Sequence, residues 1–321
     1  MPQILLCGSE GEQFLFENEL TTVGADDKRR GSVLLNAGDQ MYRLFPSGYA
    51  DFWVHARIAV KGNTAFNEPA NLDILQVLSG SEILANIRAT TPGSTAIGVL
   101  RFDAKDTGPS FPAEDREFIN YDIRVRVQGG TTTVYFYRNE VLRRMQSYSG
   151  SSLPNAVLIQ YQSTSPGQAS VWVQDVIITD ALPTVGMELA TLVPSAVGNY
   201  DDFVNDYSAI DDLGYNQSST ISTTTPGDRE SWFFADPEFN LGDKVIYGVV
   251  MTTVAQTDLA GVITDFEPFL RLNATNYAAP DIGANNIAPN AYVSVWNINP
   301  ATSAPWNVAE LTGLEAGIRA V

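Results

Sequence analysis

The residues that could perform chemistry are scarce in this sequence. The 321 residues contain a single histidine, His55, and a single cysteine, Cys7. One histidine excludes a metal site built from two histidines of one chain, and a Ser-His-Asp triad would have to use it. One cysteine excludes an intramolecular disulfide and a zinc or iron–sulfur site made of cysteines. We expect His55 to be packed or hydrogen-bonded and Cys7 to be a small buried side chain.

Sequence motifs of the common enzyme classes are absent. The P-loop, GxGxxG and GxSxG patterns do not occur. A glycoside hydrolase needs two carboxylates across the scissile bond, and the single-strand pattern ExDxxE is also missing. The acidic segment EDRE at 114–117 has a different spacing and follows Pro112, which indicates a loop. The sequence therefore predicts a non-enzymatic protein without a cofactor.

One acidic run could bind a cation. Clustered carboxylates are the ligands that calcium prefers, although the spacing here does not match an EF-hand loop. The alternative is a solvated loop whose charges repel one another, and we favour that interpretation. The carboxylates are Asp201, Asp202, Asp206, Asp211 and Asp212.

The charge is unevenly distributed along the chain. There are 37 acidic and 19 basic residues, so the formal net charge is −18. Residues 1–180 hold 20 acidic and 15 basic residues, whereas residues 181–321 hold 17 and 4. Nucleic acid and anionic membranes attract basic surfaces, so neither is an expected partner.

The elements that must position these residues are strands. Apolar and polar residues alternate with period two in most segments, including 52–58 and 121–127. Residues 121–127, the Gly129-Gly130 turn and the β-branched and aromatic run 131–137 predict a β-hairpin. Short helices are expected only at 140–146 and 309–314, and both segments could equally be loops. The sequence predicts an all-β protein.

The alternation also predicts a shared face. In several strands of the first half, the residues opposite the apolar set are polar or aromatic. Rings that stack and forked donors that fix polar groups suit recognition of a glycan or a protein partner. The same rings could instead pack against the second domain or a neighbouring subunit. The residues of this candidate face are Trp53, His55, Arg57, Arg124, Arg126, Tyr135, Tyr137, Trp172 and Gln174.

Composition and punctuation divide the chain into two domains. We expect a first domain over 1–182, a linker over 183–194 and a C-terminal β-domain over 195–321, because prolines and glycines interrupt the chain between them. No signal peptide or membrane-spanning segment is recognised.

Three segments of the first domain resemble the concanavalin A-like (laminin-G-like) jelly roll. They are FWVHARI at 52–58, the hairpin YDIRVR…VYFYRNEVL over 121–142, and VWVQDVIITD at 171–180. In the turn of that hairpin, Asn139-Glu140 stands where the family usually has Asp-Gly. The resemblance implies a jelly-roll β-sandwich over about residues 2–182, followed by a second, smaller antiparallel β-sandwich.

The second half resembles a β-domain of tailed-bacteriophage structural proteins. The matching stretches include TTTPGDRESWFF at 223–234, WNVAEL at 306–311 and LEAGIR at 314–319. This resemblance implies a virion component made in the host bacterial cytoplasm, such as a tail-tip, tail-fibre or capsid-surface protein. Its implied partners are copies of itself in a trimer or ring, other virion proteins, and a host surface glycan. The alternatives are a stand-alone lectin and a glycoside hydrolase or lyase with a non-standard site.

Overall fold

The structure is a computed structural model of the 321-residue chain. The residues it describes are 2–8, 15–16, 21–23, 32–35, 39–62, 72–90, 99–104, 110–112, 118–161, 169–211, 218–235, 241–242, 244–257, 262–283 and 289–321. The chain divides into two compact units, Met1–Leu189 and Ala190–Val321. This division falls within the segment 183–194 that the sequence predicts as a linker. Across the described ranges, no helix is long and apolar enough to span a membrane.

Strands make up nearly all of the regular structure that is described, which confirms the all-β prediction. The N-terminal unit contains β1 (Gln3–Gly8), β2 (Leu15–Phe16), β3 (Thr21–Val23), β4 (Ser32–Leu35), β5 (Asp39–Leu44), β6 (Asp51–Gly62), β7 (Leu72–Ser79), β8 (Glu82–Thr90), β9 (Val99–Asp103), β10 (Ser110–Pro112), β11 (Ile119–Gln128), β12 (Thr131–Arg138), β13 (Val141–Ser149), β14 (Ala156–Tyr161) and β15 (Ala169–Asp180). The C-terminal unit contains β16 (Pro194–Asp201), β17 (Arg229–Phe234), β18 (Val249–Ala255), β19 (Asp265–Leu272), β20 (Thr275–Ala278), β21 (Ile282–Gly283), β22 (Asn290–Trp296) and β23 (Glu315–Ala320).

Two antiparallel sheets form the N-terminal unit as a jelly-roll sandwich. The eight-stranded sheet has the order β13-β12-β11-β6-β15-β4-β3, with β1 also paired to β15. The seven-stranded sheet has the order β10-β9-β8-β7-β14-β5-β2. Cys7 lies in β1 and is partly buried, and burial raises the pKa of its thiol to about 12.

Aromatic rings join the two sheets. Phe102 of β9 stacks on Phe136 of β12 with ring centroids 5.1 Å apart, and its edge meets Tyr121 of β11 at 6.1 Å. All three side chains are buried. Because side chains alternate along a strand, this contact makes the neighbours of Phe136, such as Tyr135 and Tyr137, point away from the other sheet.

The predicted hairpin is confirmed by the pairing of β11 with β12. Gln128 lies opposite Thr131, so Gly129 and Gly130 form a two-residue turn. Both glycines have positive φ, at 57° and 75°, which is the geometry that tight hairpin turns require.

The next turn, between β12 and β13, places two residues other than glycine in the same region of φ/ψ space. Asn139 and Glu140 have φ values of 46° and 65°, so they adopt the left-handed conformation that an Asp-Gly pair would adopt more easily.

A short helix at 140–146 is not observed, because this segment belongs to strand β13. Arg144 donates to the carbonyl of Phe102, and the hydroxyl of Tyr148 donates to the carbonyl of Leu84 at 3.2 Å. These side chains reach the other sheet from alternate positions of β13. Contacts between the sheets therefore override the weak helical pattern.

The C-terminal unit is a second, smaller antiparallel arrangement. A six-stranded sheet has the order β16-β17-β23-β19-β20, with β21 paired to β19, and β18 pairs with β22 as a ribbon. Trp296 of the ribbon packs in one apolar cluster with Leu270 and Ala316 of the sheet. Short 3-10 turns occur at Tyr207–Ala209 and Val308–Glu310, so the segment 309–314 contains one turn rather than an α-helix.

Candidate functional site

The register places all nine residues of the candidate face on the outer side of the eight-stranded sheet. Directly opposed residues of antiparallel strands point to the same side. One row across the sheet is Trp53–Arg124–Tyr135, and the next is His55–Asp122–Tyr137. Four further members lie beside these rows on the same side, namely Arg57, Arg126, Trp172 and Gln174.

An arginine clamp organises the first row. Arg124 donates two hydrogen bonds to the carboxylate of Asp51, at 2.7 and 2.6 Å. Its guanidinium carbon lies 5.0 Å from the ring centroid of Trp53 and 5.2 Å from that of Tyr135. A bidentate pair with rings on the guanidinium fixes the arginine in one orientation. Asp51, which sequence reasoning missed, therefore neutralises and holds the central cation of this face.

A buried polar network organises the second row. Nδ1 of His55 lies 2.9 Å from Oδ1 of Asp122, and the hydroxyl of Thr184 donates to the same oxygen at 2.7 Å. All three residues are buried. The segment 181–187 is further held by the amide of Ala181, which donates to the carbonyl of Asp51 at 2.7 Å. The network thus fastens this segment over the sheet, and the expectation of a packed His55 is met.

The face is therefore less open than the sequence predicts. The side chains of Trp53, His55 and Gln174 are only 4%, 2% and 1% exposed. Trp53 stacks against Tyr137 at 5.9 Å and lies under Arg124, so its ring is unavailable to a ligand. Arg126 is exposed, and the members that remain partly accessible are Arg57, Arg124, Tyr135, Tyr137 and Trp172.

A second polar cluster, which sequence reasoning missed, lies on the outer side of the seven-stranded sheet. Oδ1 of Asp73 accepts from Nδ2 of Asn86 and Nε of Arg88, both at 2.6 Å. Its Oδ2 accepts from Nε2 of Gln76 at 2.8 Å. Arg88 also lies 3.8 Å from the carboxylate of Asp103. The signal was the alternation of Asn86 and Arg88 with apolar residues in β8.

Two buried acceptors of this outer side have no partner among the described residues. They are Oδ1 of Asn86 and Oε1 of Gln160, and both residues are at most 6% exposed. Asp73 and Arg88 are more accessible, with side chains 22% and 29% exposed. The accessible part of the cluster is therefore a carboxylate beside a forked cation, a combination that suits a ligand rich in hydroxyl groups.

The acidic run of the C-terminal unit serves local hydrogen bonding. Asp202 accepts from the amide of Arg229 at 3.1 Å, and Asp206 accepts from the amide and hydroxyl of Ser208 at 2.9 and 2.6 Å. Asp201 and Asp211 are exposed, and Asp212 lies outside the described residues. Within the part of the chain that the structure describes, no group of three or more His, Cys, Asp or Glu side chains could hold a metal ion.

One carboxyl group of the C-terminal unit is fully buried. Glu230 of β17 lies opposite Asp201, and its Oε2 accepts from the amide of Phe203 at 3.1 Å. Burial raises the pKa of Glu230 to about 7, and the nearby Asp201 and Asp202 carboxylates add to that rise. The group is therefore partly protonated at neutral pH.

Comparison with known proteins gives likeness of fold alone. No protein-family profile and no curated protein matches the sequence significantly. Among solved structures, the alginate lyase AlgAT5 from Polysaccharide Lyase family 7 is 10% identical, covers 52% of this chain and 85% of its own, and has a TM-score of 0.39. The CBM2 module of the evolved Dit of Lactobacillus casei BL23 phage J-1 is 12% identical, covers 56% and 95%, and has a TM-score of 0.35.

A third similar structure spans both units. The receptor binding domain of botulinum neurotoxin D is 12% identical, covers 99% of this chain and 97% of its own, and has a TM-score of 0.40. At these TM-scores, none of the three likenesses carries an argument about the activity of this chain.

The hydrogen bond from Thr184 generates a first prediction. Thr184→Val removes the donor to Asp122 while keeping the volume, and should lower the free energy of unfolding of the N-terminal unit by about 1–2 kcal/mol. It should also speed proteolytic cleavage within 181–187, because that segment loses its anchor. Urea unfolding and limited proteolysis measure the two effects. Thr131→Val, at an exposed strand position, is the control, and equal effects of both variants would contradict the anchor.

The buried Glu230 generates a second prediction. Its pKa rises on folding from an ordinary 4.5 to about 7, so the folded state binds the proton more tightly than the unfolded state. Stability from this group is therefore complete below pH 4.5 and is lost as the pH rises through 7. Glu230→Gln should flatten the fall in melting temperature of the C-terminal unit between pH 5 and pH 8. Glu267→Gln, at a partly exposed ion pair, should leave that fall unchanged.

Proposed function

We propose that this chain is a non-enzymatic structural component of a tailed-phage virion. The proposal places the N-terminal sandwich at a contact with another virion protein or with the host surface. Two observations support this proposal. One is the resemblance of the sequence to phage structural proteins, and the other is a group of exposed apolar residues on the eight-stranded sheet.

The observation that supports a contact role is an exposed apolar strip on β13. Leu142 and Met145 are 47% and 60% exposed, and we call these two residues the β13 strip. Met145 lies opposite Tyr135 and Leu142 opposite Tyr137, so both extend the aromatic side of the sheet. Contiguous apolar residues at a surface are typical of protein contacts.

The burial of His55 supports a role without catalysis. The imidazole is 2% exposed, and its Nδ1 is engaged by a carboxylate that also binds Thr184. A general base must reach the proton that it removes. His55 instead stabilises the outer layer of the sandwich.

Particle incorporation tests this proposal. Virions purified by density gradient from the host of this phage should contain the chain in several copies, as measured by quantitative mass spectrometry. In a complementation experiment, Met145→Glu should lower incorporation at least tenfold, because it places a charge in an apolar contact. Leu44→Glu, which changes an apolar residue of the other sheet that is 52% exposed, should incorporate normally. Absence of the wild-type chain from particles would refute the proposal.

A glycan-binding role is a second candidate, and the cluster around Asp73 and Arg88 favours it. We predict that any glycan ligand found on an array loses at least tenfold in affinity with Arg88→Met, because the guanidinium fork is removed. Arg319→Met is the control, since Arg319 lies in β23 of the C-terminal unit. Failure of the wild-type chain to bind any glycan would remove this candidate. Release of reducing sugar or unsaturated product from host polysaccharide would instead favour the enzyme alternative.

A further inference from the structure

Strand β13 ends the eight-stranded sheet, so one of its two edges has no neighbouring strand in that sheet. It contains nine residues, which makes it the longest sheet-ending strand among the described residues. A row of exposed amides and carbonyls pairs readily with another strand, and for that reason proteins usually shorten, bend or cover such an edge. The pairing of β13 with β12 skips Arg143 and is then continuous from Arg144 to Ser149. This second part is a regular, open edge.

One hydrogen bond beside this edge decides which backbone groups point outward. The amide of Gly150 donates to the carbonyl of Gly130 at 3.0 Å, one step beyond the last pair of β12 and β13. Bonded and non-bonded pairs alternate along an antiparallel ladder. The even-numbered residues that follow the bulge therefore bond to β12. The amides and carbonyls of Met145, Ser147 and Ser149 point away from the sheet.

The side chains along the edge leave room for another strand. Met145, Ser147 and Ser149 are exposed, and they lie on the outer side of the sheet. Arg144 and Tyr148 point to the inner side instead, where they donate to carbonyls of the seven-stranded sheet. The three residues whose backbone groups point outward are therefore uncharged, and two of them are small.

We propose that β13 pairs antiparallel with β13 of a second copy, about a twofold axis at Ser147. In this register Ser147 lies opposite its own copy, Met145 lies opposite Ser149, and Arg144 lies opposite Gly150. Every outward amide and carbonyl from 145 to 149 gains a partner, and two eight-stranded sheets become one continuous sheet. This inference rests on the proposed function, because it names the partner of the same contact surface on β13.

The order of charges along β13 favours this self-pairing. Glu140, Arg143 and Arg144 all lie at the first end of the strand, whereas the segment 145–153 is uncharged. Antiparallel pairing centred on Ser147 lays the charged end of each copy beside the uncharged end of the other. A parallel pairing would bring the arginines of the two copies together, which is repulsive.

A further exposed cation of the same side lies too far from the axis to oppose the pairing. Arg126 is opposite Thr133, which is opposite Ser147. Five strand spacings would separate Arg126 from its counterpart in the second copy, a distance of about 24 Å. Salt screens exposed charges beyond about 8 Å at physiological ionic strength, so this repulsion is weak.

The remaining edges of the two sheets are poor partners for β13. The described strands that end them are β2, β3 and β10, with two, three and three residues. Such short edges hold few hydrogen bonds. A contact that uses the same strand in both copies is closed by its twofold symmetry, so the expected assembly is a dimer rather than a filament.

Removal of one outward amide tests the pairing. The purified wild-type chain should sediment as a dimer at micromolar concentration. Ser147→Pro removes an amide that β12 does not use, so the chain should fold but dimerise at least tenfold more weakly. Ser147→Ala is the matched control, since it keeps the amide and loses only the hydroxyl, and it should dimerise as the wild type does. Sedimentation velocity measures association, and circular dichroism verifies the fold.

A disulfide test reports the register without a proline. Residues on the twofold axis face each other as a bonded pair, with Cα atoms about 5.5 Å apart, which suits a disulfide. In a Cys7→Ala background, Ser147→Cys should therefore form a covalent dimer under mild oxidation. Met145→Cys is the control. Its counterpart would lie four residues along the strands, about 14 Å away, so it should stay uncrosslinked.

The outcomes separate this inference from the virion proposal. A monomeric wild type, an undiminished dimer of Ser147→Pro, or crosslinking through Met145→Cys rather than Ser147→Cys would each overturn the β13 pairing. Particle incorporation is measured separately. A wild-type chain that is monomeric when purified but present in virions would refute the pairing and leave the virion proposal standing.

Discussion

The stacking of Phe102 on Phe136, with Tyr121 at its edge, is the contact on which the arrangement of the N-terminal unit depends. These buried rings hold the inner sides of the two sheets in contact. Because side chains alternate with period two, the inner side dictates which residues point outward on every neighbouring strand. A shift of one residue in the pairing of β11 or β12 would bury Arg124 and expose Ile123.

On the outer side of the same sheet, paired polar groups and aromatic rings form a second layer. The Asp51–Arg124 pair holds the rings of Trp53 and Tyr135 around the guanidinium, and Asp122 joins His55 to Thr184. Buried polar groups must be paired to avoid a desolvation penalty, so this layer is ordered. The accessible apolar surface of this side lies on β13, an edge strand of the sheet.

The distribution of charge gives the two units different properties. In the N-terminal unit the described arginines near the outer layer are partly matched by carboxylates, as in the pairs Arg124–Asp51 and Arg57–Asp175. In the C-terminal unit carboxylates greatly outnumber basic residues, and their mutual repulsion contributes to the raised pKa of Glu230. The acidic unit therefore gains from protons, cations or a basic partner surface.

The sequence by itself determined the all-β class, the Gly129-Gly130 hairpin and the parity that sends nine residues to one side of a sheet. These properties are local, since alternation and turn chemistry act over a few residues. Which members of that side stay accessible was decided by tertiary structure. Arg124, Asp122 and Thr184 come from positions distant in the chain from Trp53 and His55, and they cover those two side chains. The cluster at Asp73 likewise forms only when β7 and β8 pair in their observed register, and the strand at 141–149 forms because the opposite sheet accepts its side chains.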